Sequence, residues 1–282
     1  MGLVRGYLIS HSMSLSDKSR VVRFSVAGSV GGLPDKVTSH SPMCNGRGCV
    51  QSCIDVPFVD SYVYLGLTID RALSWRLHAE SMSGVIRPIV SRVYQVGRLC
   101  PPTVLRGMYF ACIESRLRYG VTVWGSATDA ALLPVVRAQR AMLRAIIRKR
   151  RRESIFYDFS LLGIFPLKLL YQFKVLSLFY RRGGYGGYRR ATSTRDGIQL
   201  TLPLPRLEVF RRSFFYMAPK LFNALPAELR GLDLSHGSWC IPGISAGASM
   251  LGSGGGSASP AGYLIVECVG IAFLALNKDF ES

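Results

Sequence analysis

Five arginines between Asp129 and Arg152 keep a helical register. Arg137, Arg140, Arg144, Arg148 and Arg151 stand three or four residues apart, and Lys149, Arg150 and Arg152 crowd the end. On one continuous helix this spacing lines the five guanidiniums along one side. Only Asp129 opposes them within the stretch. Cations late in a helix suit its macrodipole, yet like charges at this spacing repel. A polyanion lying across the face would relieve the repulsion, and a guanidinium's fork of donors matches phosphate oxygens two at a time. The pattern therefore predicts a nucleic-acid backbone surface; the plainer alternative is a solvated basic face.

Such a helix has to be held from behind. Leu132, Val135, Val136, Met142, Leu143, Ile146 and Ile147 recur at three- and four-residue steps, giving one core-facing stripe. The chain as a whole shares the cationic bias, with a net charge of +18 over 282 residues and a pI near 10.0. Hydrophobic residues make up 49%, too many for a disordered basic tail. The longest apolar run, Ala261 to Leu276, is interrupted by Glu267 and falls short of the roughly 20 residues a membrane-spanning helix needs. Seven cysteines and no signal-peptide pattern predict free thiols in a reducing compartment, nuclear or cytoplasmic.

Two other chemistries can be weighed on residue types alone. His40, Cys44, Cys49 and Cys53 cluster in sequence, but their spacing is looser than that of an ordinary zinc site, which pairs its ligands tightly and twice. Buried free thiols are the favoured reading and zinc the minor one. No nucleophile elbow accompanies the four histidines, which argues against a hydrolase.

The periodicity supplies the frame. Arg20–Ala27 and Val59–Ile69 read as strands, with a loop over 28–57 that contains at most a short strand at Cys49–Asp55, broken by Pro57. From Leu73 the period becomes helical through Trp75, Met82, Ile86, Ile89, Val93 and Val96, with a kink or split expected at Pro88. Pro101-Pro102-Thr103 opens a second helix, Gly120 ends it, and Val121–Gly125 reads as extended. The basic helix follows, then a helix within Leu161–Tyr180 beginning near Pro166, then a last one over Phe210–Phe222. Between these, Arg181–Arg190 reads as a glycine-rich loop; Tyr185 and Tyr188 within it could instead stack on bases. From Leu234 the composition predicts a disordered tail. Strands first and helices after make the expected class α+β: a short antiparallel hairpin or small sheet, then a mostly helical bundle. The expected divisions are 1–70, 71–180, 181–233 and 234–282.

Several blocks, taken in order, resemble the C-terminal part of a non-LTR (LINE-type) retrotransposon reverse transcriptase. Tyr64-Leu65-Gly66-Leu67-x-Ile69-Asp70, then Leu73-Ser74-Trp75 and His78, is similar to that family's YLG…D…LSW…H signature. Leu117-Arg118-Tyr119-Gly120 with Val123-Trp124-Gly125, Gln139-Arg140, Leu161 to Leu167, and Arg211-Arg212-Ser213-Phe214 through Pro219, Asn223, Leu225 and Pro226 resemble later blocks, with Phe222 where the family usually has Trp. The resemblance spans about Leu15 to Leu232.

It implies that residues 1–70 end a polymerase palm and that the helices form a thumb and C-terminal extension. It implies RNA and DNA, as primer–template, for partners, with no membrane and no small-molecule substrate. Lys18 resembles the palm lysine that approaches the incoming nucleotide's phosphates, although Leu15 stands where the family motif has Asn. The Tyr64-Leu65-Gly66 turn resembles the hairpin that steadies the primer's 3′ end. The family's magnesium-binding Asp-Asp pair has no counterpart, since no two aspartates are adjacent anywhere in the chain. The expectation is a truncated, catalytically inactive RNA-directed DNA polymerase that binds nucleic acid and needs no cofactor; the alternative is a basic helical binding protein without polymerase ancestry. Only the polymerase reading requires Arg20–Ala27 and Val59–Ile69 to be adjacent and antiparallel.

Overall fold

Leu65 and Gly66 both take positive φ, at 47° and 77°, so the chain reverses where alternation alone predicts one long strand. Two central residues with φ above zero make the tight turn whose twist suits a hairpin. Gly66 adopts it freely, whereas a leucine there costs about 1 kcal/mol. The turn joins β4 (Ser61–Tyr64) to β5 (Leu67–Asp70), with Tyr64 opposite Leu67 and Ser61 opposite Asp70. The computed structural model describes residues 7, 10–11, 16, 18–24, 36–40, 44, 53–183, 191–194, 197–225 and 230. These fall into two compact units, Met1–His78 and Ala79–Ser282. The chain is α+β.

The first unit holds a second small sheet: β1 (Val21–Val22), β2 (Lys36–Ser39) and β3 (Ile54–Val59), in the order β1-β3-β2. Three expectations are corrected here. Of the predicted strand over Arg20–Ala27, only Val21–Val22 is strand among the described residues. The predicted loop over 28–57 contains β2 and most of β3, and β3 runs through Pro57. At Pro57 only β2 pairs with the strand, since β1 meets Phe58 and Val59. One side is therefore open, where a residue without an N–H is tolerated. Finally, the two valine-rich segments do meet, at Val22 and Val59, but they run parallel. The antiparallel neighbour of β3 is β2.

Asp70 closes the hairpin onto the helix that follows. Its carboxylate accepts hydrogen bonds from the backbone N–H groups of Ala72 (3.0 Å), Ser74 (3.0 Å) and Trp75 (2.9 Å) and from the Ser74 hydroxyl (3.2 Å). Leu73 and Trp75 sit at φ 51° and 60°, a conformation that L-residues avoid unless held. The carboxylate holds them. Helix α1 (Arg76–Val96) starts immediately after and passes through Pro88 without a break. On its first turn, buried His78 accepts at Nδ1 from the Thr68 N–H, at 3.4 Å.

In the second unit the helices α2 (Pro102–Tyr109), α3 (Ser115–Arg118), α4 (Val121–Trp124), α5 (Asp129–Ile147), α6 (Phe156–Leu161), α7 (Leu167–Arg181), α8 (Glu208–Arg211) and α9 (Phe214–Ala224) are joined by a hairpin of β6 (Ala191–Thr194) and β7 (Gly197–Leu200). A π-helical turn, Phe110–Glu114, links α2 to α3. Leu105, Tyr109, Ile113, Leu117, Trp124, Val135, Met142, Leu143, Ile146, Leu170, Leu176, Phe179 and Phe222 form the core. Val121–Trp124, expected to be extended, is helical: Gly120 at φ 61° ends the preceding helix, and Trp124 Nε1 donates back to the Tyr119 carbonyl at 2.9 Å. The last predicted helix is two, parted at Arg212 and Ser213. Gly125 is required by packing, because a Cβ there would lie 2.7 Å from the Tyr171 ring. Among the described residues, no helix is long and apolar enough to cross a membrane. Tyr185, Tyr188 and the tail from Leu234 lie outside the described residues.

Two outcomes follow for the first unit. Asp70→Ala removes the acceptor of three backbone N–H groups and should destabilise the hairpin by roughly 2–3 kcal/mol, read by amide exchange across residues 61–75 in urea. Burial holds the His78 imidazole below its ordinary 6.5. The unfolded chain thus takes up the proton first. The contribution is complete above pH 6.5 and declines as the pH falls through that value toward the lower folded one. Amide exchange repeated from neutral to mildly acidic pH should show this loss, and His78→Asn, which keeps an acceptor but cannot titrate, should flatten it.

Candidate nucleic-acid interface

Helix α5 is built to present one face. Thr128 caps it, its hydroxyl accepting from the Ala131 N–H at 3.4 Å, and Asp129 stands in the first turn, where a negative charge suits the dipole. Leu132, Val135, Met142, Leu143 and Ile146 are buried along the predicted stripe. Buried beside them is Gln139. Its Nε2 donates to the Tyr109 hydroxyl (2.8 Å) and the Phe165 carbonyl (2.9 Å), and its Oε1 accepts from the Leu167 N–H (3.1 Å). Burial pushes the Tyr109 phenol far above its ordinary value, so it stays a neutral partner. The amide thereby ties α5 to α2 and to the start of α7, and with Gln139 turned inward, Arg137 and Arg140 are exposed.

The arginine register does not run on to Arg152. The helix ends at Ile147, and Arg148 takes the left-handed conformation at φ 58°, its N–H bonded to the Arg144 carbonyl. The Lys149 N–H reaches the same carbonyl at 3.2 Å, a common way to satisfy the last turn. The side chains explain the stop. The Arg148 guanidinium donates to the Gly97 carbonyl just past α1. Lys149 pairs with Asp158 at 2.7 Å and donates to the Ser154 carbonyl at 3.3 Å. Arg144 is half-buried and donates to the Glu153 carbonyl at 3.4 Å. Arg144 and Arg148 are therefore engaged within the protein, and the expected row of five is replaced by two groups. Arg137 and Arg140 lie on the helix; Arg150, Arg151 and Arg152 lie in the exposed segment beyond it. Among the described residues, none of these five forms an ion pair.

The acids nearby are already used. Asp158 holds Lys149, and Glu114 in the π turn is 2.5 Å from Arg118. Burial raises the Glu114 carboxyl, opposed by Arg118. The sequence reading missed one neighbour of the cationic end. Because Arg148 reaches the Gly97 carbonyl, the exposed Arg98 adjoins that end, across a separation of 51 residues that no local pattern signals.

In the first unit, the hairpin tip forms a surface of its own. Tyr62, Tyr64 and Leu65 are 37%, 59% and 69% exposed. The two tyrosines, two residues apart, share one face of β4. That alternation was the available signal for Tyr62, which the motif comparison did not single out. Gly66 completes the turn. Lys18 is exposed, with its backbone N–H bonded to the Ser16 hydroxyl at 3.3 Å. His40, Cys44 and Cys53 converge, with Cys44 and Cys53 half-buried rather than buried; Cys49 lies outside the described residues. Against this geometry, a scan of protein-family models, a search of curated proteins and a search of solved structures each returned no match.

Proposed function

We propose that the chain is a palm-end and thumb portion of a non-LTR retrotransposon reverse transcriptase that binds nucleic acid and, as it stands, does not polymerise. The observation that carries the binding is a local group of exposed arginines on and just after α5 that form no ion pair among the described residues: Arg137, Arg140, Arg150, Arg151 and Arg152. Their donors and charge suit phosphates. Support for the ancestry is the ordered run of blocks, whose residues have interlocking structural tasks. Asp70 and His78 brace the hairpin, Trp124 bonds to Tyr119, Gln139 joins three elements, and Asn223 bonds to both the N–H and the carbonyl of Leu200 at 2.8 Å. Leu65 adds a hint of function: it costs conformational energy and buries little, so folding alone does not account for it.

The chemistry of polymerisation is not proposed. Two magnesium ions need converging carboxylates. Among the described residues, the one group of three potential metal ligands is His40, Cys44 and Cys53, which contains no carboxylate. That group of ligands does not fit a pair of magnesium ions. The parallel pairing of β1 with β3 favours a second reading, a basic helical binding protein with no polymerase ancestry.

Binding and ancestry separate experimentally. Titration against single-stranded RNA at several salt concentrations should give a linear log–log plot, and replacing Arg137 and Arg140 by alanine should reduce its slope by about 1.4, at about 0.7 per contact. Arg148→Ala should leave that slope unchanged and cost about 1–3 kcal/mol of stability through the lost bond to Gly97. An unchanged slope for the double variant would place the contact surface elsewhere. The reverse-transcriptase reading further expects a preference for a primer–template junction over a single strand, weakened by Leu65→Ser. The second reading expects no preference. Mg²⁺-dependent primer extension by the purified chain would overturn both.

A further inference from the structure

We propose that His40, Cys44 and Cys53 form a zinc site that clasps the β2–β3 pair at the end where the chain passes from one strand to the other. The sheet itself gathers the ligands. Ser39 is opposite Ile54 in the antiparallel register, so His40, following β2, and Cys53, preceding β3, come next to each other at its end. Cys44 reaches them from the connection between the strands. The His40 Nδ1 lies 3.5 Å from the Cys44 sulfur and 3.8 Å from the Cys53 sulfur, and all three ligand atoms fall within 4.8 Å of one another. Around a tetrahedral zinc, with bonds of about 2.3 Å to sulfur and about 2.0 Å to nitrogen, the nitrogen–sulfur separation is about 3.5 Å.

A single cation between the three takes all of these ligand atoms at once. Two thiolates with an imidazole suit a borderline-soft ion such as zinc and not magnesium or calcium. Asp55 is close but engaged, bonded by Lys36 at 2.5 Å and by Thr38 at 2.6 Å, and these bonds hold its carboxyl below the ordinary range. The loose ligand spacing, which counts against zinc in a compact knuckle, follows from a site whose ligands are brought together by strand register. Strands of four and six residues gain a covalent-like fastening, with metal affinity coupled to their folding.

The test uses the full chain, expressed with zinc and purified under reducing conditions without chelator. Elemental analysis should find about one zinc per chain, falling to less than about a tenth in His40→Ala and in Cys53→Ser. A Cys100→Ser, Cys112→Ser double variant, altered only at half-buried thiols of the other unit, should keep its zinc. Because the site variants can fail to fold, the wild-type chain is also stripped and loaded with cobalt(II). Tetrahedral d–d bands with sulfur charge-transfer absorption, lost on adding zinc, are expected. Zinc-free wild-type protein with no cobalt bands, or a Cys53→Ser variant that keeps full zinc, would overturn the proposal.

Discussion

The buried amide of Gln139 decides which way the basic helix faces. A helix turns about 100° per residue, so a side chain fixed inward fixes its neighbours outward. Gln139 lies between Arg137 and Arg140, and its bonds to Tyr109, Phe165 and Leu167 use both ends of the amide. Each partner is buried, so losing the amide would strand three donors or acceptors from water as well as loosening α5. An apolar residue at this position could fill the space but could not set the rotation so narrowly. The exposure of the arginines is thus a consequence of polar bonding in the core.

The same arrangement recurs at the other motif positions. Asp70 holds two residues in left-handed conformations, Asn223 reads the main chain of Leu200 as a strand would, and Gly125 admits the Tyr171 ring where any side chain would collide. Residues that stand out in the sequence as motif are here mostly joints. The exposed groups beside them are arginines and two tyrosines on the hairpin, of which Arg140 and Tyr64 belong to the blocks and the others do not. A sequence motif can therefore mark the frame that positions a surface and only part of the surface itself.

What the sequence made legible follows from local physics. Most of the apolar stripe of α5, with Val136 and Ile147 only half-buried, the proline opening of α2 and the helix beginning after Pro166 appear as read, because period and capping are local properties. The stop at Arg148 was not legible. Nothing in the sequence disfavours a helix there, and its end is set by the distant Gly97 carbonyl and by Asp158. The strand β2 was hidden for a similar reason: four residues flanked by glycine and proline look like loop until β3 supplies their hydrogen bonds. Strand direction was equally out of reach, since a two-residue β1 carries no alternation from which to infer its partner's orientation.

The outward cations of α5 and the segment after it are arginines throughout: Arg137, Arg140, Arg150, Arg151 and Arg152. A guanidinium keeps its charge at any pH a cell reaches, unlike an imidazole or a perturbed lysine. The charge of this face is therefore a property of the residue type. Competing ions, or a methyl group occupying the donor fork, would weaken the attraction of such a face for anions. The histidine-braced hairpin answers to protons instead, so the two units are governed by independent variables of the surrounding solution.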